Sequence, residues 1–285
     1  MSANTAVLLI SCRDQKGLVA AVSEFVYRND GNIVHAEQHV DVQENIFFHR
    51  VEWELEGFGL APEQIAPAFQ QVADRFGMNW SVRFSFDRQK IAIFVSKYDH
   101  CLADLLYRYR VGELNGEIMA VIGNHPDLQP LVEPFGIPFH LFPITLDNKA
   151  RQEEQELDLL RALGVETVVL ARYMQVLSVR FVRSYPNRII NIHHSFLPAF
   201  VGARPYHQAH ERGVKLIGAT SHYVTEELDD GPIIEQDVCR VTHRDSLETM
   251  ISKGRELERQ VLGRAVRLHL EHRVLAYGRK TVVFD

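Results

Sequence analysis

From Ala6 to Ile10 the chain is continuously apolar, as a buried strand would be. Asp14, Gln15, Lys16 and Gly17 then form a turn, and Leu18, Val22, Phe25 and Val26 recur at the spacing of one helix face. Gly31 and Asn32 read as a left-handed stop for that helix. Two extended stretches follow, Ile33 to Asp41 and Phe47 to Leu55, joined by a polar turn around Gln43 to Asn45. The second sets Phe47, His49, Val51, Trp53 and Leu55 on one face. Ile65, Phe69, Val72 and Phe76 mark a second helix. After it Trp80, Val82, Phe84 and Phe86 alternate with Asn79, Ser81, Arg83 and Ser85 in a further strand. The order βαββαβ predicts a ferredoxin-like sandwich.

A charged connector, Asp87 to Lys90, opens a different pattern, in which strands at Ile91 to Val95, Ile118 to Ile122, Val165 to Leu170, Arg188 to Ile192 and Leu216 to Val224 alternate with helical segments such as Lys149 to Leu163. A long last helix, around Ser246 to Leu270, carries Met250, Leu257, Val261 and Leu268 on its apolar face. Such alternation predicts a Rossmann-like α/β domain with a mostly parallel sheet. The expected division is therefore residues 1–87 and residues 88–285.

Composition narrows the function. The 285 residues are 46% hydrophobic, enough for a real core in each part. No stretch reaches the ~18 apolar residues of a membrane span, and the first residues lack the regions of a signal peptide, so a cytoplasmic protein with no membrane partner is expected. Cys12, Cys101 and Cys239 are scattered, without the spacing of a disulfide framework or a zinc site. A net charge of −6 without basic runs argues against nucleic acid and leaves a small molecule as the ligand.

In an open parallel sheet, ligands gather at the carboxyl ends of the strands. The first strand of the second part ends in Ser96, Lys97, Tyr98, Asp99 and His100, with no glycine-rich loop, which excludes the usual nicotinamide and nucleoside triphosphate sites. The run R-I-I-N-I-H-H-S-F-L-P, Arg188 to Pro198, puts Asn191 and His193 on one face of a strand end. An amide donor beside an imidazole suits stabilisation of an oxyanion and exchange of a proton near neutral pH. His194, next along an extended strand, is expected to point away and serve packing or hydrogen bonding, with ordering of a water as the alternative, and His207 and His210 are expected to lie at the surface. Downstream, G-A-T-S-H-Y-V-T-E-E-L-D-D-G-P-I-I carries His222 and an acidic loop, one of whose carboxylates can face the pair. Glu226, Glu227 and Asp230 are read as solvated. The histidines show no H-E-x-x-H spacing, and no metal is expected.

These runs together resemble the formyltransferases that use 10-formyltetrahydrofolate. The resemblance implies a catalytic set of Asn191, His193 and Asp229, a folate pocket shaped by His222 and Thr225, and a pterin-binding loop in L-A-R-Y-M-Q-V-L-S, where backbone groups around Met174, Val176 and Leu177 read the pterin edge. N-I-H-H-S-F-L-P-A-F, with G-A-R-P-Y-H-Q-A at Gly202 to Ala209, is similar to the deformylases of this group, and D-Q-K-G-L-V-A with G-N-I resembles an ACT domain. The implied activity is hydrolysis of 10-formyltetrahydrofolate to formate and tetrahydrofolate, feeding one-carbon and purine metabolism, with no cofactor. The ACT resemblance implies a homo-oligomer and an amino-acid effector such as glycine or methionine, bound near Asp14, Gly17, Asn32 and Ile33. The alternative is transfer of the formyl group to an amine such as glycinamide ribonucleotide. Transferases of that kind carry a glycine-rich phosphate loop where Ser96 to Cys101 stands here.

Overall fold

The computed structural model describes residues 4–198 and 205–284. Its contacts divide into two compact units, Met1–Arg88 with Glu271–Leu275 and Val282–Asp285, and Gln89–Leu270 with Ala276–Thr281.

The first unit is a βαββαβ sandwich: β1 (Thr5–Arg13), α1 (Leu18–Arg28), β2 (Ile33–Asp41), β3 (Ile46–Glu54), α2 (Pro62–Phe76) and β4 (Asn79–Phe84), with strands in the order β2-β3-β1-β4. All the pairings are antiparallel. One face of β1, Ala6, Leu8, Ile10 and Cys12, meets the apolar stripes of both helices. Gly17 enters α1 in a left-handed conformation, φ 94°. At the other end of α1 the expectation needs correcting, because the left-handed residue is Asp30 (φ 57°) and not Gly31 or Asn32. Gly31 is needed for space: a Cβ there would lie 2.5 Å from a Val26 methyl and 2.9 Å from the Phe58 ring.

One further expectation fails locally. Phe86 lies beyond β4, exposed and stacked on Phe84. Strand β3 is buried on both faces, because Phe48 and Arg50 are covered as well as Phe47, Val51 and Trp53. Arg50 is satisfied there by the His272 carbonyl (3.1 Å) and by Glu52 (2.8 Å). The partner carbonyl lies 222 residues away, which no local pattern encodes.

The second unit contains β5 (Gln89–Val95), α3 (His100–Arg110), β6 (Gly116–Gly123), α4 (Gln129–Val132), β7 (Phe139–Leu141), α5 (Lys149–Ala162), β8 (Thr167–Ala171), α6 (Val179–Ser184), β9 (Ile189–His193), α7 (Pro205–Arg212), β10 (Leu216–Tyr223), β11 (Ile233–Arg240) and α8 (Leu247–Leu270). The chain ends in a hairpin, β12 (Val274–Tyr277) and β13 (Lys280–Val283). The seven strands of the large sheet are ordered β11-β10-β9-β8-β5-β6-β7. Those from β9 to β7 run parallel, and β10 and β11 run antiparallel at one edge. Ile91 to Val95 are fully buried, as unbroken apolar runs are when helices cover both faces. The parallel strands β5, β8 and β9 deliver residues 96–99, 172–178 and 194–198 from one edge of the sheet, and the site forms there.

Candidate active site

Asn191 and His193 leave β9 on one face, and the register with β10 sets His222 directly opposite Asn191. His222 Nδ1 lies 2.9 Å from the Tyr223 carbonyl, so that nitrogen carries the proton and donates. Its Nε2 is left to accept from the Asn191 amide at 3.3 Å, which fixes the orientation of that amide.

Asp229 enters from the loop after β10 with a left-handed backbone, φ 55°. Its carboxylate lies 3.2 Å from His193 Nδ1 and 3.7 Å from His222 Nε2. Burial works to raise its pKa, but the hydrogen bond from His193 Nδ1 is the leading effect in the other direction, and the carboxyl is held well below the usual carboxylate range. The loop can take this path because residue 231 is glycine. A Cβ there would lie 1.7 Å from the Tyr223 carbonyl oxygen, the same oxygen that orients His222. With Nδ1 turned to Asp229, the other nitrogen of His193, Nε2, is buried without a partner among the described residues. This nitrogen is the atom of the set whose hydrogen bonding the described residues leave unmet.

The set opens on a cavity of about 600 Å³. Residues 172–177 form part of its lining, with Met174 and Val176 more than half exposed and Leu177 half-buried against the core. That loop is held from below: Ser96 Oγ accepts from the Met174 N–H at 2.9 Å and donates to Asn124 at 2.7 Å, Glu153 accepts from the Ser178 N–H at 3.1 Å, and Lys149 bonds the Val176 carbonyl. The Met174 N–H and Val176 carbonyl are thus engaged inside the protein. Thr225, half-buried, and His222 also line it.

Residues 89–266 match the family model described as formyl transferase, and residues 6–74 match the ACT domain model. A formyltetrahydrofolate deformylase of Synechocystis sp. is 56% identical over 98% of both chains. The solved structure of a formyltetrahydrofolate deformylase from Pseudomonas syringae is 47% identical, with a TM-score of 0.98 over 100% of this chain and 96% of that one. The chain belongs to the formyltetrahydrofolate deformylase family. The likeness of this chain to a transferase is weaker and partial: glycinamide ribonucleotide transformylase 1 of Symbiobacterium toebii is 31% identical, with a TM-score of 0.66, covering 70% of this chain and 95% of that one.

Several other residues of this deformylase-family site were not foreseen in those places. His194 lies past the end of β9 and lines the cavity beside His193, their ring centroids 5.2 Å apart; burial lowers its pKa to about 4, so the ring is neutral. His207 is half-buried in the lining, whereas His210 is exposed. Arg172, Tyr206 and Glu258 belong to the same cavity. Of the acidic loop, Glu226 is exposed and pairs with Arg183 at 2.6 Å, and Asp230 pairs with Arg279. Among the described residues, one close group has metal-ligand chemistry, His100, Cys101 and Glu258. The hydrogen bond between His100 and Glu258 and the nearby Arg172 guanidinium occupy it, so it fits a cation poorly.

The residues expected near an effector do not meet within one chain. Asp14 and Gly17 follow the carboxyl end of β1, where the Asp14 N–H bonds the Asn45 carbonyl. Asn32 and Ile33 pair with Glu54 and Trp53, at the opposite end of that sheet.

Proposed function

We propose that this chain hydrolyses 10-formyltetrahydrofolate to formate and tetrahydrofolate, with Asn191, His193 and Asp229 as the catalytic residues. The observation that carries the assignment of roles is His193, which lines the cavity with Nδ1 on Asp229 and Nε2 buried and without a partner among the described residues. In its neutral form Nε2 takes a proton from water as the oxygen attacks the formyl carbon, and the ionised Asp229 stabilises the resulting imidazolium. The Asn191 amide, turned by His222, donates to the formyl oxygen as negative charge develops on it. The imidazolium then returns the proton to the departing folate nitrogen. The C–N bond breaks, a C–O bond forms, and formate leaves. The scheme uses no metal or organic cofactor.

Met174, Val176, Leu177, His222 and Thr225 form the folate-binding side. The ACT unit supports an amino-acid effector, glycine or methionine, shared between paired copies of a homo-oligomer, since Asp14 and Gly17 of one copy need another chain to meet Asn32 and Ile33. No helix among the described residues is long and apolar enough to cross a membrane, and we place the enzyme in the cytoplasm, where its formate enters purine synthesis.

The test is release of formate and tetrahydrofolate from 10-formyltetrahydrofolate by purified protein, before and after treatment with a chelator. Alanine at Asn191, His193 or Asp229 lowers turnover by at least ~10²-fold while folate binding survives, because each acts on charge present only in the transition state. Near-normal turnover in one variant removes that residue from the set, and chelator-sensitive turnover rejects the cofactor-free scheme.

A further inference from the structure

One wall of the cavity carries features that folding alone would not select. Glu258, on the buried face of α8, is 1% exposed. One carboxylate oxygen accepts from the Tyr206 hydroxyl at 2.7 Å, and the other bonds His100 Nε2 at 2.8 Å, with Arg172 Nε 3.3 Å away. Arg172 reaches it from a left-handed backbone, φ 61°, which an L residue adopts only at an energetic cost. Tyr206 reaches it across Gly254, where a Cβ would lie 2.2 Å from the ring and hydroxyl. A glycine is thereby kept inside a 24-residue helix that alanine would stabilise. Buried ion clusters of this kind are seldom more stable than apolar side chains of the same volume. Three unfavourable features converge on one carboxylate, and its partners all line the cavity.

The wall is continuous with the catalytic set. The Tyr206 ring lies edge-on to His194 at 5.9 Å, and His194 adjoins His193. On the other side, the Tyr98 ring lies 5.3 Å from the Arg172 guanidinium carbon and 5.9 Å from that of Arg255. Hydrolysis and formyl transfer share the donor, the oxyanion and the leaving nitrogen. They differ in the nucleophile: water forms a C–O bond and gives its proton to the folate nitrogen, whereas an amine forms a C–N bond and gives up its own. Nothing in the geometry of Asn191, His193 and Asp229 tells the two apart. Selection falls to the shape of the space beside them.

We propose that the wall of Tyr98, Arg172, Tyr206 and His100, anchored on Glu258, is the specificity determinant of the reaction, admitting water to the formyl carbon and keeping out amine nucleophiles. The proposal rests on the hydrolytic reading above. Glu258 is a positioning residue in it, and the two tyrosine rings are the surfaces it positions.

The test offers glycinamide, a small primary amine, together with 10-formyltetrahydrofolate at mildly alkaline pH, and measures formate, N-formylglycinamide and tetrahydrofolate in the same reaction. Wild type and Tyr98→Phe give formate with no more than traces of formylated amine. Tyr98→Ala and Glu258→Gln raise the ratio of formylated amine to formate by at least about tenfold, the change expected when one packing or hydrogen-bonding contact stops disfavouring the competing transition state. The ratio is set within each turnover, so loss of folded protein does not move it. Tyr206→Phe, which keeps the ring and removes its bond to Glu258, shifts the ratio in the same direction and replaces either variant that does not fold. An unchanged ratio in variants that still release tetrahydrofolate overturns the proposal. Absence of tetrahydrofolate release by the wild type overturns the hydrolytic reading instead.

Discussion

Gly231→Ala is expected to disable the site although residue 231 touches no substrate. A Cβ at this position would lie 1.7 Å from the Tyr223 carbonyl oxygen, and real Cβ contacts are essentially never under 3.0 Å, so something must move by at least about 1.3 Å. The strand is the less able to yield. The Tyr223 carbonyl accepts from His222, its N–H bonds the Pro232 carbonyl at 2.9 Å, and β10 is paired on both sides. The loop therefore gives way, and Asp229, two residues before the glycine, loses its 3.2 Å contact with His193. A misplacement of ~1 Å in a catalytic group costs on the order of 10²-fold in rate. The assay is turnover per folded molecule, measured as tetrahydrofolate release and normalised to binding of an unreactive folate. Gly213→Ala is the control: it is strained at φ 65° but has nothing within 4 Å of its Cβ, so it loses some stability and keeps its turnover. Gly231→Ala working at a near wild-type rate would refute the claim that the Asp229–His193 geometry limits the reaction.

Glu156, fully buried on α5, has its pKa pushed up from 4.5 to about 8, by burial first and then by Glu153. The folded protein holds a proton that the unfolded chain releases, so stability is full below pH 4.5, falls as pH rises toward 8 and levels off beyond; Glu156→Gln removes this decline, which is at most ~5 kcal/mol. Urea unfolding across that interval checks it, and parallel profiles for the two proteins would contradict it. For the ACT unit, calorimetry is expected to show binding of glycine or methionine, and size-exclusion chromatography a homo-oligomer; a monomer that binds no amino acid refutes both.

The two sheets were readable because their signals are local. The alternation in β4 and the unbroken apolar run of β5 each report what covers a strand. Asn191 and His193 were readable as a pair because period two puts them on one face. Strand β7 is only three residues long, and β11 carries Glu235, Gln236 and Asp237 at its centre, so neither gave a pattern. His194 lines the cavity instead of pointing away because the strand ends one residue earlier. Glu258 did leave a trace, an acid between Leu257 and Val261 on the apolar face of α8. Its partners, however, come from α3, α7 and the loop after β8, a convergence that only the folded chain displays.

The central claim is that water attacks a formyl group held by Asn191, His193 and Asp229. A single turnover of 10-formyltetrahydrofolate in oxygen-18 water tests it most directly, read by mass spectrometry with and without glycinamide ribonucleotide. The account predicts formate carrying one solvent oxygen, formed at the same rate in both cases. Formylated glycinamide ribonucleotide with little free formate would contradict it.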